Sequence, residues 1–254
     1  MTPRIYLTGS IAVEHEGRLV PERSFPGRQG RLAFAYLVAN RHRTIQRDDL
    51  VSAIWCGGEA GQADTALDAI ISKLRGVMRT AGLPASESAI VSMSGTIALT
   101  LPHQAWVDIE VAANALDEAE GALRRGDVAV AWSQANVAVA IGRRTFLADA
   151  EMPWIEARRS RQRASLVRAL QCLATVCPVI GDPLLSVQYA GETVELEPFR
   201  ETGYQLLMRA HAAMGDRAEA LRVFARCREL LRDELGVSPS LQTEAVYLEI
   251  LRAG

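Results

Sequence analysis

Hydrophobic positions change their spacing along the chain, and the first pattern predicts strands. In the first 25 residues, apolar residues form three short runs, Ile5–Leu7, Ile11–Val13 and Arg18–Val20, which turn residues separate. Runs that are rich in β-branched residues and bounded by such residues are typical of strands. Because the three runs follow one another closely, we expect them to pair as a small antiparallel sheet.

The second pattern has the spacing of helices. Apolar residues recur every three or four positions over residues 28–41 and again over residues 47–55, where two aspartates in the first turn suit the helix dipole. A third amphipathic segment runs from about residue 63 to residue 81. Gly82 follows it, at the place where glycine commonly ends a helix. We therefore predict three helices in this part of the chain.

A strand pattern returns over residues 90–101 and predicts a hairpin that turns near Ser94 and Gly95. Strands, then a short helix, a longer amphipathic helix and a hairpin form the pattern of a winged helix-turn-helix. We therefore expect residues 1–105 to form a winged helix-turn-helix DNA-binding domain of the α+β class.

The rest of the chain, residues 106–254, has a third pattern, in which amphipathic helices repeat. Two sets of residues lie 34 positions apart at the spacing of tetratricopeptide repeats: Leu170, Leu173, Gly181, Ser186 and Ala190, then Tyr204, Leu207, Gly215, Ala220 and Phe224. Three Gly-Asp pairs predict the turns between paired helices, at Gly126, Gly181 and Gly215. The expected fold class is mainly α: the winged helix followed by an all-α, tetratricopeptide-like helical-repeat domain.

Composition indicates an ordinary soluble globular protein, with 49% hydrophobic and 23% charged residues. No apolar run is long enough for a membrane span, and the N-terminus lacks the pattern of a signal peptide. We therefore expect a cytoplasmic protein that does not contact a membrane. The net charge of −2 does not indicate a nucleic-acid-binding protein. A slight excess of basic residues in the first 105 residues still allows a local basic face.

The sequence lacks the motifs that would indicate an enzyme. It has no phosphate-binding loop, no HExxH, no GxSxG and no GxGxxG. Its four histidines are scattered, and its cysteines form no CxxC pair, so we predict no metal, no cofactor and no catalytic residue. Cys56, Cys172, Cys177 and Cys227 are interpreted as buried, reduced thiols.

Base recognition is expected on the polar side of the third helix. The candidates are Thr65, Asp68, Ala69, Ser72 and Lys73. A carboxylate such as Asp68 can accept a hydrogen bond from cytosine N4 in the major groove, although a solvated surface carboxylate would have the same sequence pattern. Lys73 can donate to guanine or to a phosphate.

Phosphate contacts are expected from arginines near the predicted helices, with further contacts from the wing at Ser94, Gly95 and Thr96. The candidate phosphate-binding residues are Arg28, Arg31, Arg41, Arg43, Arg47, Arg75 and Arg79. Among them Arg43, Arg47 and Arg75 flank the helix-turn-helix; each of the set could instead be a solvated surface residue. A further basic run, from Arg158 to Arg163, is interpreted as a solvated helix face.

Two segments resemble a known family. Residues Thr65–Arg75 resemble the recognition helix of OmpR/PhoB-type winged helices, whose members carry aspartate at the position of Asp68. Residues Leu231–Tyr247 closely resemble the bacterial transcriptional activation domain. Both segments in this order resemble the SARP/AfsR regulators of actinobacteria. The chain departs from the family at Thr96, where relatives often have tyrosine.

The resemblance implies a function and partners. Members of the family bind direct repeats in double-stranded DNA, usually as a tandem pair, and help to recruit RNA polymerase. The sequence therefore predicts a sequence-specific transcriptional activator, with DNA, RNA polymerase and a second copy on DNA as partners. The alternative is a helical-repeat adaptor whose winged helix binds protein, or binds DNA only weakly. Because the reading helix lies within residues 63–81, we expect a chain ending near residue 107 to retain some specific binding and to lose transcriptional activation.

Overall fold

The computed structural model describes residues 2–55 and 60–253 and divides the chain into two compact units. The first unit comprises Met1–Val111 together with Arg144–Arg161, and the second comprises Ala112–Arg143 together with Gln162–Gly254. This division differs from a single boundary between residues 105 and 106, because a segment from the helical half of the chain folds with the N-terminal unit.

The described elements follow the predicted order. Strands and helices of the N-terminal part are β1 (Arg4–Tyr6), β2 (Ala12–His15), β3 (Arg18–Pro21), a 3₁₀ turn (Glu22–Ser24), α1 (Gly27–Ala39), β4 (Ile45–Gln46), α2 (Arg47–Ile54), α3 (Ala60–Thr80), β5 (Ala89–Met93), β6 (Thr96–Thr100) and β7 (Trp106–Val107). The remaining helices are α4 (Asp108–Arg125), α5 (Val128–Gly142), α6 (Pro153–Val176), α7 (Pro183–Leu196), α8 (Glu201–Ala213), α9 (Arg217–Leu235) and α10 (Leu241–Arg252). None of these helices is long and apolar enough to cross a membrane.

Two small sheets confirm the predicted strands and the hairpin. The first has the order β3-β2-β1-β7, in which β1 pairs antiparallel with β2 and parallel with β7. The second has the order β4-β6-β5, in which β5 and β6 form the predicted hairpin. The sequence did not predict β4 and β7, because a two-residue strand has too few positions to show an alternation.

The core of the first unit forms where α1 packs against α2 and α3. The apolar side of α3 lies in this core, with Leu67 and Leu74 fully buried and Ile71 nearly so. Phe146 and Ile155, from the returning segment, are also fully buried in the same cluster. This segment therefore completes the core of the winged-helix unit.

Two arginines of the returning segment make structural contacts. Arg158 donates to the carbonyl oxygen of Ala39 at 3.2 Å, and Arg159 donates to the carbonyl oxygens of Phe146 and Ala150 at 2.9 Å each. Burial has the largest effect on the Arg158 guanidinium and lowers its pKa. The interpretation of this run as a solvated face is therefore wrong for Arg158 and Arg159, because both guanidinium groups satisfy carbonyl oxygens that sequence spacing does not reveal.

A buried carboxylate connects α4 to the first sheet. Oδ2 of Asp108 accepts from the backbone nitrogens of Leu7 and Thr8 and from the hydroxyl of Thr8, each at 2.8 Å. Its other oxygen accepts from the backbone nitrogen of Ile109 at 2.8 Å. Burial raises the pKa of Asp108, and these donors oppose the shift because they stabilise the carboxylate.

Three helix pairs of the described chain share the same turn, which confirms the predicted Gly-Asp positions. Gly126, Gly181 and Gly215 have φ of 75°, 84° and 79°, a region that favours glycine. The aspartate after each glycine caps the following helix by accepting from the backbone nitrogen three residues later. The pairs are α4–α5, α6–α7 and α8–α9, and the last is followed by α10.

The segment that resembled the activation domain forms the end of α9 and the start of α10. Gly236 ends α9 in the left-handed conformation, and Ser240 caps α10. Oε2 of Glu201 accepts from both the backbone nitrogen and the hydroxyl of Ser240, at 2.8 and 2.9 Å. The motif therefore encodes a helix–loop–helix connection that is fixed to α8.

Two helical glycines are expected to respond oppositely to alanine. A Cβ at Gly30 would lie 2.2 Å from Cγ of Pro26, whereas a Cβ at Gly191 would meet nothing within 4 Å. We expect Gly30→Ala to destabilise the protein by about 1–3 kcal/mol through overpacking. Gly191→Ala, the matched control, is expected to stabilise it by about 0.5–1 kcal/mol. Urea unfolding of both variants checks the prediction, and equal effects would contradict it.

Candidate nucleic-acid interface

The predicted reading residues lie together on the exposed side of α3. All five are exposed, whereas the opposite side of the helix lies in the core: Thr65, Asp68, Ala69, Ser72 and Lys73. Residues 56–59, which precede α3 and include Cys56, lie outside the described residues. One side of α3 is thus fixed by packing, and the other is available to a partner.

Successive residues turn by about 100° around a helix, so this exposed side has a centre and two flanks. Thr65, Ala69 and Ser72 lie near the centre, where all side chains are small. Asp68 and Lys73 are five residues apart and therefore lie about 140° apart, on opposite flanks. Lys73 lines a shallow cavity together with Ser24, Pro26, Gly76 and Thr80, among others.

The Asp68 flank is joined to α2 by Arg47. Nη2 of Arg47 lies 2.9 Å from Oδ1 of Asp68, and Nε donates to Oδ1 of Asp64 at 2.7 Å. The hydrogen bond that Arg47 donates to the Asp64 carboxylate is the largest cause that raises the pKa of Arg47. The predicted phosphate-binding Arg47 and the predicted base-reading Asp68 are therefore partners of each other.

Three other predicted phosphate-binding arginines are held by partners within the first unit. Arg31 pairs with Glu22 at 3.2 Å and with Asp149. Arg41, whose side chain is only 9% exposed, donates to both carboxylate oxygens of Glu110 at 2.8 and 2.6 Å. Arg75 donates to the carbonyl oxygen of Ile90 at 3.0 and 2.8 Å, which connects α3 to β5.

The Arg41–Glu110 pair is a structural ion pair. Burial alone would raise the pKa of Glu110, but the hydrogen bonds and charge of Arg41, helped by His42, lower it overall. The carboxylate therefore stays ionised beside its partner. In the sequence, Arg41 lies close to other residues that were predicted to contact phosphate, yet its guanidinium binds Glu110.

The remaining predicted cations are exposed. Arg28, Lys73 and Arg79 make no ion pair with any residue that the structure describes. Arg43 is also exposed, and its guanidinium donates to Oδ1 of Asn40 at 3.1 and 3.0 Å. Ile45 pairs with Ile97, so Arg43 lies at the end of the hairpin away from its turn. The exposed cations nearest the reading side are thus Lys73 and Arg79 on α3 itself.

The wing turns at Ser94 and Gly95, as predicted, with φ of 50° and 77°. The carbonyl oxygen of Gly95 accepts from the backbone nitrogen of Arg47 at 2.9 Å, so the wing is attached to the start of α2. The hydroxyl of Thr96 donates to the carbonyl oxygen of Met93 at 2.7 Å. Met93 is 70% exposed. The sequence analysis did not include it among the wing residues, although alternation along the strand from buried Ile90 predicts that its side chain is exposed.

The described cysteines agree with the interpretation as buried thiols. Cys172, Cys177 and Cys227 are buried and unpaired, and burial raises the pKa of each to about 11. Within residues 2–55 and 60–253, no group of three or more His, Cys, Asp or Glu side chains is arranged to hold a metal ion.

Comparison with known proteins decides the family. A model of the family described as bacterial transcriptional activator domain matches residues 107–251. The chain belongs to this family. Its members are transcriptional regulators rather than enzymes, and the match confirms the resemblance to SARP/AfsR-type regulators.

Relatives of this activator-domain protein extend the similarity to the winged helix. The chain is 28% identical to the regulatory protein AfsR of Streptomyces griseus over 225 residues, and 30% identical to AfsR of Streptomyces coelicolor over 228 residues. Each alignment covers 89% of this chain but 22% of the relative. The chain therefore spans about a fifth of the length of these curated relatives.

A solved structure of another protein has the same fold as this chain. Mycobacterium tuberculosis EmbR, in a structure with a low-affinity phosphopeptide, superposes with a TM-score of 0.88. The match covers 99% of this chain and 65% of that chain, at 22% sequence identity. The fold class is therefore confirmed: a winged helix with small sheets, followed by tetratricopeptide-like helices.

Proposed function

We propose that this protein is a sequence-specific DNA-binding regulator that activates transcription, with α3 as its reading helix. The observation that supports this most strongly is the division of α3 into a buried side and an exposed side. The buried side positions the helix rigidly, and the exposed side presents Thr65, Asp68, Ala69, Ser72 and Lys73. A helix that is fixed in this way suits the major groove, which is about 12 Å wide.

The chemistry of the exposed side fits base recognition. Small side chains at the centre of the exposed side of α3 allow the helix backbone to approach the base edges closely. Asp68 can accept from cytosine N4, and Lys73 can donate to the O6 and N7 atoms of guanine. The two lie on opposite flanks, so we propose that they contact different base pairs.

Affinity is proposed to come from local cations in a protein of net charge −2. Lys73 and Arg79 on α3, and Arg28 at the start of α1, are exposed and have no ion-pair partner in the described parts of the chain. Phosphate contacts need such cations, because a guanidinium already paired with a carboxylate releases few counterions from DNA. We therefore assign Arg28 and Arg79 to the phosphate contacts ahead of Arg31 and Arg41. They also come ahead of Arg75, whose guanidinium is held by the carbonyl oxygen of Ile90.

The second unit is proposed to carry the activating role, since the matched activator domain includes nearly all of it. The partners that we propose are direct repeats in double-stranded DNA, a second copy of this chain on the adjacent repeat, and RNA polymerase. The protein would act in the cytoplasm, where bacterial DNA and RNA polymerase are found. Family membership supports these partners.

Genome-wide mapping of DNA bound by the protein tests this proposal. We expect enrichment upstream of a limited set of genes, with an approximate direct repeat within each enriched region. Deletion of the gene should lower transcription of those genes. An absence of enriched DNA, together with stable capture of another protein, would instead support a helical-repeat adaptor.

The phosphate contacts predict a change in salt dependence. The slope of log K against log salt is negative, and each lost contact lowers its magnitude by about 0.9. We expect this decrease for Arg79→Ala and for Arg28→Ala, measured by fluorescence anisotropy on one duplex at several salt concentrations. Arg222→Ala is the matched control, because Arg222 is an exposed arginine of α9 whose ion-pair partner among the described residues is Glu219. Slopes equal to that of the control would contradict the assignment.

A further inference from the structure

Arg47 lies at the junction of the three elements that form the proposed reading site. Its backbone nitrogen donates to the carbonyl oxygen of Gly95 in the wing at 2.9 Å. Its Nε donates to Oδ1 of Asp64 at 2.7 Å, and its Nη2 donates to the carbonyl oxygen of Asp64 at 2.8 Å. The same Nη2 lies 2.9 Å from Oδ1 of Asp68. One residue of α2 thus contacts both α3 and the wing.

The guanidinium of Arg47 is enclosed by protein acceptors. Its side chain is 21% exposed, whereas those of Asp64 and Asp68 are 56% and 68% exposed. The fork of the guanidinium matches three acceptors at once, an arrangement that the single ammonium of lysine cannot reproduce. The charge of Arg47 is also matched by two carboxylates, so little of it remains for a phosphate.

Asp68 needs such a partner if it is to face DNA. A carboxylate near the phosphates is repelled by them, and an exposed aspartate samples several rotamers. Arg47 offsets the repulsion and holds Oδ1 of Asp68. Oδ2 has no hydrogen bond to any residue within the described ranges, so it can accept from a base.

We propose that Arg47 is a positioning residue of the reading site: it holds the Asp68 carboxylate in one orientation on α3, so that its second oxygen accepts from cytosine N4. This inference rests on the proposed function. It assigns Arg47 a role in sequence preference, where the position of the residue beside the helix-turn-helix would suggest a phosphate contact.

Selection from random duplexes, followed by affinity measurements at several salt concentrations, tests this proposal on the full chain. In the wild type, we expect one base position of each half-site to be discriminated roughly 5- to 150-fold. Asp68→Ala should remove this discrimination. Arg47→Lys should weaken it strongly, although the positive charge is retained, and should leave the salt slope unchanged. The double variant should lose no more preference than Asp68→Ala alone.

Asp64→Ala provides a second variant that alters neither Arg47 nor Asp68. Arg47 loses one anchor, so we expect partial loss of the same base preference. Arg222→Lys is the matched control for Arg47→Lys, because Arg222 is an exposed arginine of α9 that also pairs with a carboxylate, that of Glu219. The control should keep the wild-type preference. Thermal unfolding of each variant shows that any loss of preference occurs in folded protein.

Two results would overturn the inference. The first is wild-type preference in both Arg47→Lys and Asp64→Ala. The second is a salt slope whose magnitude falls by about 0.9 in Arg47→Gln with the preference intact, which would make Arg47 a phosphate contact. A wild-type protein without any sequence preference would overturn the proposed function as well, so the two failures are distinguishable.

Discussion

A chain that ends at residue 107 is expected to lose the folded state of its first unit. The sequence placed the reading helix within residues 63–81 and suggested that such a chain would retain specific binding. The structure leads to the opposite expectation, because Arg144–Arg161 belongs to the first unit. Phe146, Leu147 and Ile155 are each at most 2% exposed in the same core cluster as α3.

The size of the effect follows from burial and hydrogen bonding. Burying a large apolar side chain contributes about 1.5–3 kcal/mol. Losing Phe146, Leu147 and Ile155 together therefore approaches the whole stability of an ordinary domain, about 5–15 kcal/mol. The hydrogen bond from the indole nitrogen of Trp154 to the carbonyl oxygen of Ala53, at 2.9 Å, is lost as well.

Thermal unfolding followed by circular dichroism checks this prediction. The chain ending at residue 107 should show no cooperative transition and no specific DNA binding. A chain ending at residue 161 is the control, since it keeps the returning segment, and it should keep a cooperative transition. A native-like transition in the shorter chain would show that the returning segment is dispensable.

Replacing Asp108 by asparagine is the second change with a large expected effect. Within the part of the chain that the structure describes, the Asp108 carboxylate accepts hydrogen bonds from donors of Leu7, Thr8 and Ile109. An amide has one acceptor oxygen, so its NH₂ group must face donors at the other position. Each buried donor left without a partner costs about 1–3 kcal/mol. With its oxygen facing Leu7 and Thr8, the amide still leaves the backbone nitrogen of Ile109 without an acceptor. We therefore expect Asp108→Asn to destabilise the first unit by about 1–3 kcal/mol.

Chemical denaturation of the full chain measures this effect. Asp117→Asn is the matched control, because Asp117 is an exposed aspartate on the same helix, and its stability should change by less than about 0.5 kcal/mol. Because two units can unfold in separate steps, the fluorescence of the tryptophans near the first core should be followed to report on the first unit. Equal stability of the two variants would contradict the role of Asp108.

Local patterns predicted the elements because each depends on nearby residues. A turn with positive φ needs glycine and a helix start needs a cap, so Gly181 and Asp182 indicated a turn without any tertiary information. The exposed side of α3 was predictable for the same reason. Its apolar residues recur at helical spacing, and this assigns the remaining positions to the surface.

Long-range partners were not predictable in this way. Arg41 and Glu110 are 69 residues apart, and Asp108 is about 100 residues from Leu7 and Thr8. Sequence position alone therefore did not show that Arg31 and Arg41 are held in ion pairs, whereas Arg79 is exposed without one among the described residues. Which cations remain available to DNA depends on these partners.

The central claim is that the exposed side of α3 reads base pairs, and selection of random duplex DNA tests it most directly. The wild-type protein should be compared with a variant that carries Thr65→Ala, Ser72→Ala and Lys73→Ala. All three side chains are exposed, so the variant should fold as the wild type does. We predict that the wild type selects a defined direct repeat. The variant should bind DNA in a salt-dependent manner and should keep a preference only at the base position that Asp68 contacts. An identical selected sequence for both proteins would contradict the claim.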